Sequence, residues 1–466
     1  MTEDKEVDTK PMPSWRIMKN VTLITFSFMI YFTSYTGASN LQSSINAESG
    51  LGTASLAATY AGVIVSNLFL PAIFIKWFGT KWAICIAFVC YMPYIAAQVY
   101  PTFYTLVPAG ILVGLLAGPL WCSKCTYLSM SAEIHSTISK IPAGTLLTRF
   151  LGYFFMIFQL NQIWGNLIAS LVLMSGNNTA AITTINESMI PLLCGANFLT
   201  NSNGSESTLP KQPPEKMQMI VVIYLACMVV ATLITAFGLD SMKRYESNRK
   251  NTSGGLSGFA LLAVTMKQLA DPNQLLLLVI NIFIGQHLAF FSADFNASFV
   301  SCAIGTGTVG YIMITFGLAN ALGCFVTGYL AKLYGRMPLF IGGLIVHGGV
   351  FITMLTWQPT VGEEYVLFII AMLSGICDSV WTVQINAYYG VLFRGKEEAA
   401  FSNFRLWEAC GYIFSYVISS HIRTRYKIYM LLCSLVVGVM GYLTVEYREY
   451  KTGKIVKTEE KDGTKF

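Results

Sequence analysis

Long apolar stretches separated by short polar ones set the rhythm of this 466-residue chain. Twelve can be drawn: 21–37, 56–75, 82–100, 104–130, 146–174 and 219–239 in the first half, then 274–300, 308–331, 339–357, 365–390, 404–420 and 428–445. Each approaches the ~20 residues a helix needs to cross the hydrocarbon core of a bilayer. Within them the apolar residues run continuously and do not alternate with polar ones. A spanning backbone must satisfy its own polar groups, so continuous runs predict helices where alternation would predict barrel strands. The pattern predicts an all-α polytopic membrane protein with a bundle of twelve helices. The first apolar run is too long for the core of a cleaved signal peptide, and is expected to stay as a signal anchor.

Two polar gaps are long. Residues 175–218 are rich in Asn, Ser and Pro, and residues 240–272 open with Lys243, Arg244, Arg249 and Lys250. The second gap falls after span six and divides the chain six plus six. The expected organisation is a first half at 1–239, a linker at 240–272, a second half at 273–446 and a tail at 447–466. Within the linker, 256–269 reads as a short amphipathic helix on the membrane surface, with a plain linker as the alternative.

Composition sharpens the membrane reading. Hydrophobic residues make up 54% of the chain and charged residues 12%, about half the charged share of a soluble domain. The net charge of +6 lies mainly in loops and tails, where it suits an anionic membrane lipid surface. There is no basic stripe interleaved with aromatics, so no nucleic-acid partner is expected. With both termini placed in the cytoplasm, 25 Lys and Arg fall inside and 5 outside (Lys211, Lys216, Arg423, Arg425 and Lys427). Positive loops favour the cytoplasmic side, so this orientation is expected, with plasma membrane preferred over endosome.

The loop at 175–218 is then extracellular. It holds three glycosylation sequons, at Asn177, Asn186 and Asn203. Of eleven cysteines, nine lie in or against spans, where they act as small hydrophobes. Cys194 and Cys302 alone fall in outer loops. An oxidising compartment favours a disulfide between them, the alternative being two unpaired thiols.

The halves share a weak repeat. Ala72-Ile-Phe-Ile-Lys76-Trp-Phe-Gly79-Thr-Lys81 follows span two, and Gly328-Tyr-Leu-Ala-Lys332-Leu-Tyr-Gly335-Arg336 follows span eight. Such repeats mark two-half transporter architectures. Both stretches resemble the inner-loop signature of the major facilitator superfamily, Gly-x-Leu-x-Asp-x-x-Gly-Arg-Lys. The resemblance implies a six-plus-six facilitator-type fold. In that family the carboxylate helps latch the inner gate. Lys76 and Lys332 stand in its place here, which weighs against ordinary rocker-switch gating.

Longer motifs narrow the match. The chain carries Asn40-Leu-Gln-Ser-Ser-Ile-Asn46, Gly50-Leu-Gly52, Pro119-Leu-Trp121, Cys125-Thr-Tyr127 and Trp164-Gly-Asn-Leu-Ile168. It also carries Tyr389-Gly-Val-Leu-Phe393, Glu398-Ala-Ala-Phe401 and Asn403-Phe-Arg-Leu-Trp-Glu-Ala409. Together these resemble the uncoordinated-93 (Unc-93-like) family, homolog A type, over residues 16–447. The resemblance implies a facilitator fold whose members serve as accessory proteins. One branch regulates two-pore potassium channels in muscle. Another escorts nucleic-acid-sensing Toll-like receptors out of the endoplasmic reticulum. Fold alone would imply none of this.

Ionisable residues at membrane depth are costly and are functional candidates by default. His287 and Asp294 lie two helical turns apart on span seven and share a face. Asp378 lies on span ten beside Trp381, Gln384 and Asn386, and Lys124 lies on span four. A proton or cation site built from His287, Asp294 and Asp378 is one expectation, and separate polar partners inside the bundle are the other. Arg405 and Glu408, spaced i, i+3 at the start of span eleven, can pair on one helix face. They form a docking or gating ion pair, or an interfacial anchor, and Lys76, Lys332 and Arg336 join them as gating candidates. Cys122 and Cys125 have the spacing of a redox or metal pair, but no second pair or histidine cluster accompanies them. His135, His347 and His421 stand alone. No metal, cofactor or catalytic motif is found, so no enzyme is expected. Three functions remain open: a regulatory partner of a potassium channel subunit, a secondary transporter of an ion or small solute, and a receptor trafficking chaperone.

Overall fold

The computed structural model describes residues 13–175, 190–199, 212–242, 263, 266–360, 362–393 and 397–452. The three sequons and nearly all of the expected surface helix at 256–269 lie outside these residues. The described chain is helical, and ten of its helices are long and apolar enough to cross a membrane. Two further positions complete the twelve-helix pattern. One is the first part of the helix Leu51–Ala96, and the other is Glu397–Ser419. The latter carries Asn403, Arg405 and Glu408, which lowers its apolar content.

Span one is the helix Ser14–Ile45. It runs well past its apolar stretch at 21–37, because its polar end is buried against other helices. Asn40, Gln42, Ser43 and Ser44 are all buried there, and Asn40, Ser43 and Ser44 hydrogen-bond to span seven. Spans two and three share the helix Leu51–Ala96, broken at Gly79 by φ 75° and ψ 164°. Span eight, Val309–Tyr334, ends on Gly335 with φ 79° and ψ −179°. Only glycine enters this backbone region freely. The two repeat stretches therefore share a backbone break as well as a spelling.

The remaining spans are Phe103–Ser139 (four), Ala143–Phe158 with Leu160–Met174 (five), and Pro214–Leu233 (six). In the second half they are Met337–Thr356 (nine), Tyr365–Leu392 (ten) and Thr424–Thr452 (twelve). Span seven starts as Pro272–Leu276 and Leu278–Ala289, then continues as a π-helix at Phe290–Ser301. Every residue from 293 to 301 is buried. Segments of π-helix are rare and concentrate at functional positions.

The most extensive contacts between the halves pair span one with seven, two with eleven, and five with eight. Ser43 Oγ donates to the Ala293 carbonyl at 2.8 Å, and Asn296 Nδ2 donates to the Asn40 carbonyl at 3.2 Å. Ser301 Oγ donates to Ser44 Oγ at 2.7 Å. Gly310 of span eight lies against the Asn166 carbonyl and Ser170 of span five. Tyr60 of span two stacks on Tyr412 of span eleven, with ring centroids 4.0 Å apart and planes 8° apart. These contacts lie toward the end of the bundle that carries Cys194 and Cys302, here called the disulfide end.

At the opposite, terminal end, Arg16 grips Asp240 through Nε at 2.7 Å and Nη2 at 3.0 Å, and Lys19 adds a contact at 3.2 Å. Asp240 follows span six, so these bonds tie the first helix of its half to the last. Tyr127 of span four donates to the Asp240 carbonyl at 2.9 Å. The Arg16 guanidinium, aided by Lys19, holds the Asp240 carboxyl well below the usual carboxylate range. A depressed folded pKa gives stability that is present above the ordinary value of about 4 and is lost as pH falls through the folded value. Arg16 is half exposed, so solvent screens the pair and the effect is modest. Asp240→Asn is expected to unfold in detergent at a lower temperature than the wild type at pH 7, with the gap closing in acid. A gap independent of pH would show that the ion pair contributes nothing.

Candidate functional site

The candidate residues of the second half fall into three groups of polar side chains. The first lies near the disulfide end. Lys427 Nζ donates to Asp294 Oδ1 at 2.6 Å, joining spans seven and twelve. Ser419 Oγ donates to the same carboxylate oxygen at 2.7 Å, and Lys427 also donates to the Ser419 carbonyl at 2.5 Å. Both charged side chains are deeply buried, at 4% and 5% exposure. A pair so enclosed by three helices is a structural clasp between spans seven, eleven and twelve. Sequence reasoning placed Lys427 among the outer loop cations and missed it. The available signal was its position directly before the apolar run from Ile428, in a cluster that broke the charge pattern.

The second group is aromatic. His287 of span seven and His347 of span nine meet with ring centroids 4.3 Å apart at 88°. Trp381 Nε1 donates to His347 Nδ1 at 3.0 Å. In neutral His347 that bond places the ring hydrogen on Nε2. Phe283 and Phe351 flank both rings. Neither ring nitrogen of His287 has a hydrogen-bond partner, nor does His347 Nε2. In the sequence His347 stands alone. Its partner is 60 residues away in the chain, at His287, so spacing could not reveal the pair.

The third group lies where the halves meet, on the terminal side of the Tyr60–Tyr412 stack. Asn320 Nδ2 of span eight donates to Asp378 Oδ2 of span ten. Glu408 of span eleven is close enough for its charge to act on both Asp378 and Tyr412. Arg405 Nη1 pairs with Glu408 Oε2 at 2.7 Å. The apolar pattern puts these two residues at the start of span eleven. The helix begins at Glu397, so Arg405 lies about 12 Å along it, at 1.5 Å per residue. The Arg405 side chain is still 57% exposed.

The three acidic and histidine candidates are therefore not one site. Asp294 is clasped by Lys427, His287 faces His347, and Asp378 faces Asn320. Among the gating candidates, Lys76 is exposed at the terminal end, and Arg336 lies over the Tyr388 ring at 5.8 Å. The Lys332 side chain lies outside the described residues. In the first half, Lys124 is buried under three rings, Phe154 at 4.4 Å, Phe155 at 4.7 Å and Trp121 at 5.0 Å, where cation–π attraction holds it. Cys122 and Cys125 are exposed on the bundle surface. Among the described residues no cluster of three or more His, Cys, Asp or Glu is placed to hold a metal.

The structure joins Cys194 and Cys302 in a disulfide with Cα atoms 5.6 Å apart. Both sulfurs are buried with Ile190, Phe198 and Ala297. The Phe198 carbonyl accepts from the Thr424 backbone amide at 3.0 Å. The segment around Cys194 is thus held to spans seven and twelve of the other half.

The sequence model of one family, described as ion channel regulatory protein UNC-93, matches residues 42–443. Protein unc-93 homolog A of Xenopus laevis is 35% identical over 93% of this chain and 94% of its own length. The human homolog A is 32% identical over 94% of each chain. A Caenorhabditis elegans relative, named "Putative potassium channel regulatory protein unc-93", is 30% identical over 92% of this chain and 61% of its own length. Among solved structures, a point mutant of the nucleoside transporter NupG superposes with a TM-score of 0.66 at 11% identity, covering 92% of this chain and 99% of that one. The Escherichia coli xylose transporter XylE, in a partially occluded inward open conformation, gives a TM-score of 0.58 at 13% identity over 91% and 97%. At these identities the transporters show a shared fold only.

Proposed function

Because the chain belongs to the UNC-93 family of ion channel regulatory proteins, we propose that it acts as a regulatory subunit of a potassium channel and not as an enzyme. The observation that carries this reading is the family match over 42–443, together with the C. elegans relative named as a channel regulator. Its partner is another membrane protein, met within the bilayer. Hydrogen bonds, ring stacking and a buried disulfide tie the halves at one end. A carrier open to the other side is closed at one end too, so the reading rests on the family match.

The reading includes sidedness. The chain termini face the cytoplasm and the disulfide end faces outward, with glycans on Asn177, Asn186 and Asn203 in the plasma membrane. The excess of Lys and Arg at the terminal end and the oxidised cysteines both support it. The reading takes the units as 1–239, 240–272, 273–446 and 447–466.

A secondary transporter is the competing reading, favoured by the facilitator fold and by Asp378, Arg405 and Glu408 at the meeting of the halves. Two measurements separate them. Co-expression with two-pore potassium channel subunits is expected to change whole-cell potassium current. The purified chain reconstituted alone is expected to support no ion or solute flux. An unchanged current, together with flux that Asp378→Asn abolishes, would overturn the regulatory reading.

A further inference from the structure

Two side-chain oxygens on one face of span ten, Ser374 Oγ and Asp378 Oδ1, are buried without a hydrogen-bond partner. Ser374 and Asp378 lie one helical turn apart, so their side chains share a face. Ser374 is 0% exposed and Asp378 4% exposed. The other Asp378 oxygen is held by the Asn320 amide, which fixes the carboxylate in one orientation. Asn320 turns its own oxygen toward nothing stronger than the Cys324 thiol, at 3.5 Å.

The charge of Asp378 is also uncompensated among the described residues. Its charged neighbour is Glu408, which has the same sign. Arg405, the adjacent cation, is spent on Glu408 at 2.7 Å. A buried carboxylate without a counter-charge is strongly unfavourable and is neutralised by a proton or a cation. Glu408 makes that need greater.

The donor set chooses between kinds of cation. The available oxygens are those of a carboxylate, a hydroxyl and an amide, and the neighbouring Cys324 sulfur is engaged as a thiol donating to the Asn320 oxygen. Oxygen donors suit hard cations, whereas nitrogen and thiolate suit transition metals. One uncompensated carboxylate matches a single positive charge.

We propose that Asp378, Ser374 and Asn320 form a binding site for a monovalent inorganic cation, sodium or potassium. The carboxylate supplies the charge, the serine hydroxyl a second ligand one turn away, and Asn320 both orients the carboxylate and offers its carbonyl oxygen. Occupation would brace spans eight and ten against each other. The site does not depend on the channel reading.

The test uses the purified full-length chain in detergent, exchanged into choline chloride at pH 7.5. Sodium or potassium chloride then replaces choline at constant ionic strength while thermal unfolding is followed. A ligand that binds only the folded state raises the midpoint in a saturable way. Such a rise is expected for the wild type. Asp378→Asn is expected to remove it and to unfold at a higher temperature than wild type in choline. Ser374→Ala is expected to raise the half-saturating concentration about tenfold, the effect of losing one ligand worth about 1.4 kcal/mol. Saturable binding of rubidium-86 to the wild type, displaced by potassium or sodium, supports the site even if Asp378→Asn fails to fold. Three outcomes overturn it. One is no cation-specific rise and no rubidium binding. Another is a rise unchanged in Asp378→Asn and Ser374→Ala. The third is stabilisation by acid alone that Asp378→Asn abolishes, which would make the group a proton site. The purified chain is tested without a channel, so failure here leaves the regulatory reading standing.

Discussion

Lys427→Met is expected to destabilise the protein by about 3–5 kcal/mol, the cost of stranding one member of a buried ion pair. Asp294 would be left without its counter-charge in a site 5% exposed, with only the Ser419 hydroxyl still donating to it. Folded proteins are stable by about 5–15 kcal/mol, so a loss of that size removes a third or more of the total. The readout is the yield of monodisperse protein in mild detergent and its unfolding midpoint. The double variant Asp294→Leu with Lys427→Met is expected to recover most of the loss. Apolar replacements of similar volume often match a buried pair. A Lys427→Met protein as stable as the wild type would show that the clasp contributes nothing. A double variant worse than either single one would show that the two side chains act separately.

Cys194→Ser is the second large effect. The bond closes a separation of 108 residues, for which chain-entropy reasoning gives about 4.7 kcal/mol. In a membrane the unfolded chain keeps inserted helices, which already restrict its ends. The expected loss is therefore about 2–4 kcal/mol, at the lower part of the usual range. The contact of Phe198 with Thr424 should weaken with it, so limited proteolysis near residues 190–199 should speed up. An unchanged midpoint and digestion pattern would remove the disulfide from the account. Leu192, exposed beside the bond, reads sidedness. A Leu192→Cys variant on intact cells should be labelled by a membrane-impermeant maleimide if the disulfide end faces out, and only after permeabilisation if that end faces the cytoplasm.

Some of this is legible in the chain. Twelve apolar stretches give the crossings, because hydrocarbon leaves the backbone no other partner than itself. Gly79 and Gly335, at matching offsets in each half, already mark where the backbone breaks, because their positive φ is freely open to glycine alone. The ends of the spans are less legible. The apolar run of span one stops at Gly37, yet its helix continues to Ile45. Asn40, Ser43 and Ser44 look like loop residues until span seven is beside them to supply partners. The apolar run of span eleven starts near Phe404, yet its helix starts at Glu397, which carries Arg405 and Glu408 deep into the bundle.

The polar sites depend on tertiary structure more completely. His287, Asp294 and Asp378 look like one set because each is an ionisable residue in an apolar run. Their true partners, His347, Lys427 and Asn320, come from spans nine, twelve and eight. Hydropathy scores each residue by its own transfer energy and contains no term for which helix stands opposite. The sequence by itself determined that the chain crosses a bilayer about twelve times, because that follows from the solvent each stretch prefers. Only the tertiary structure decided which buried charges are clasped and which carboxylate is left uncompensated, because pairing is set by helix rotation and neighbours distant along the chain.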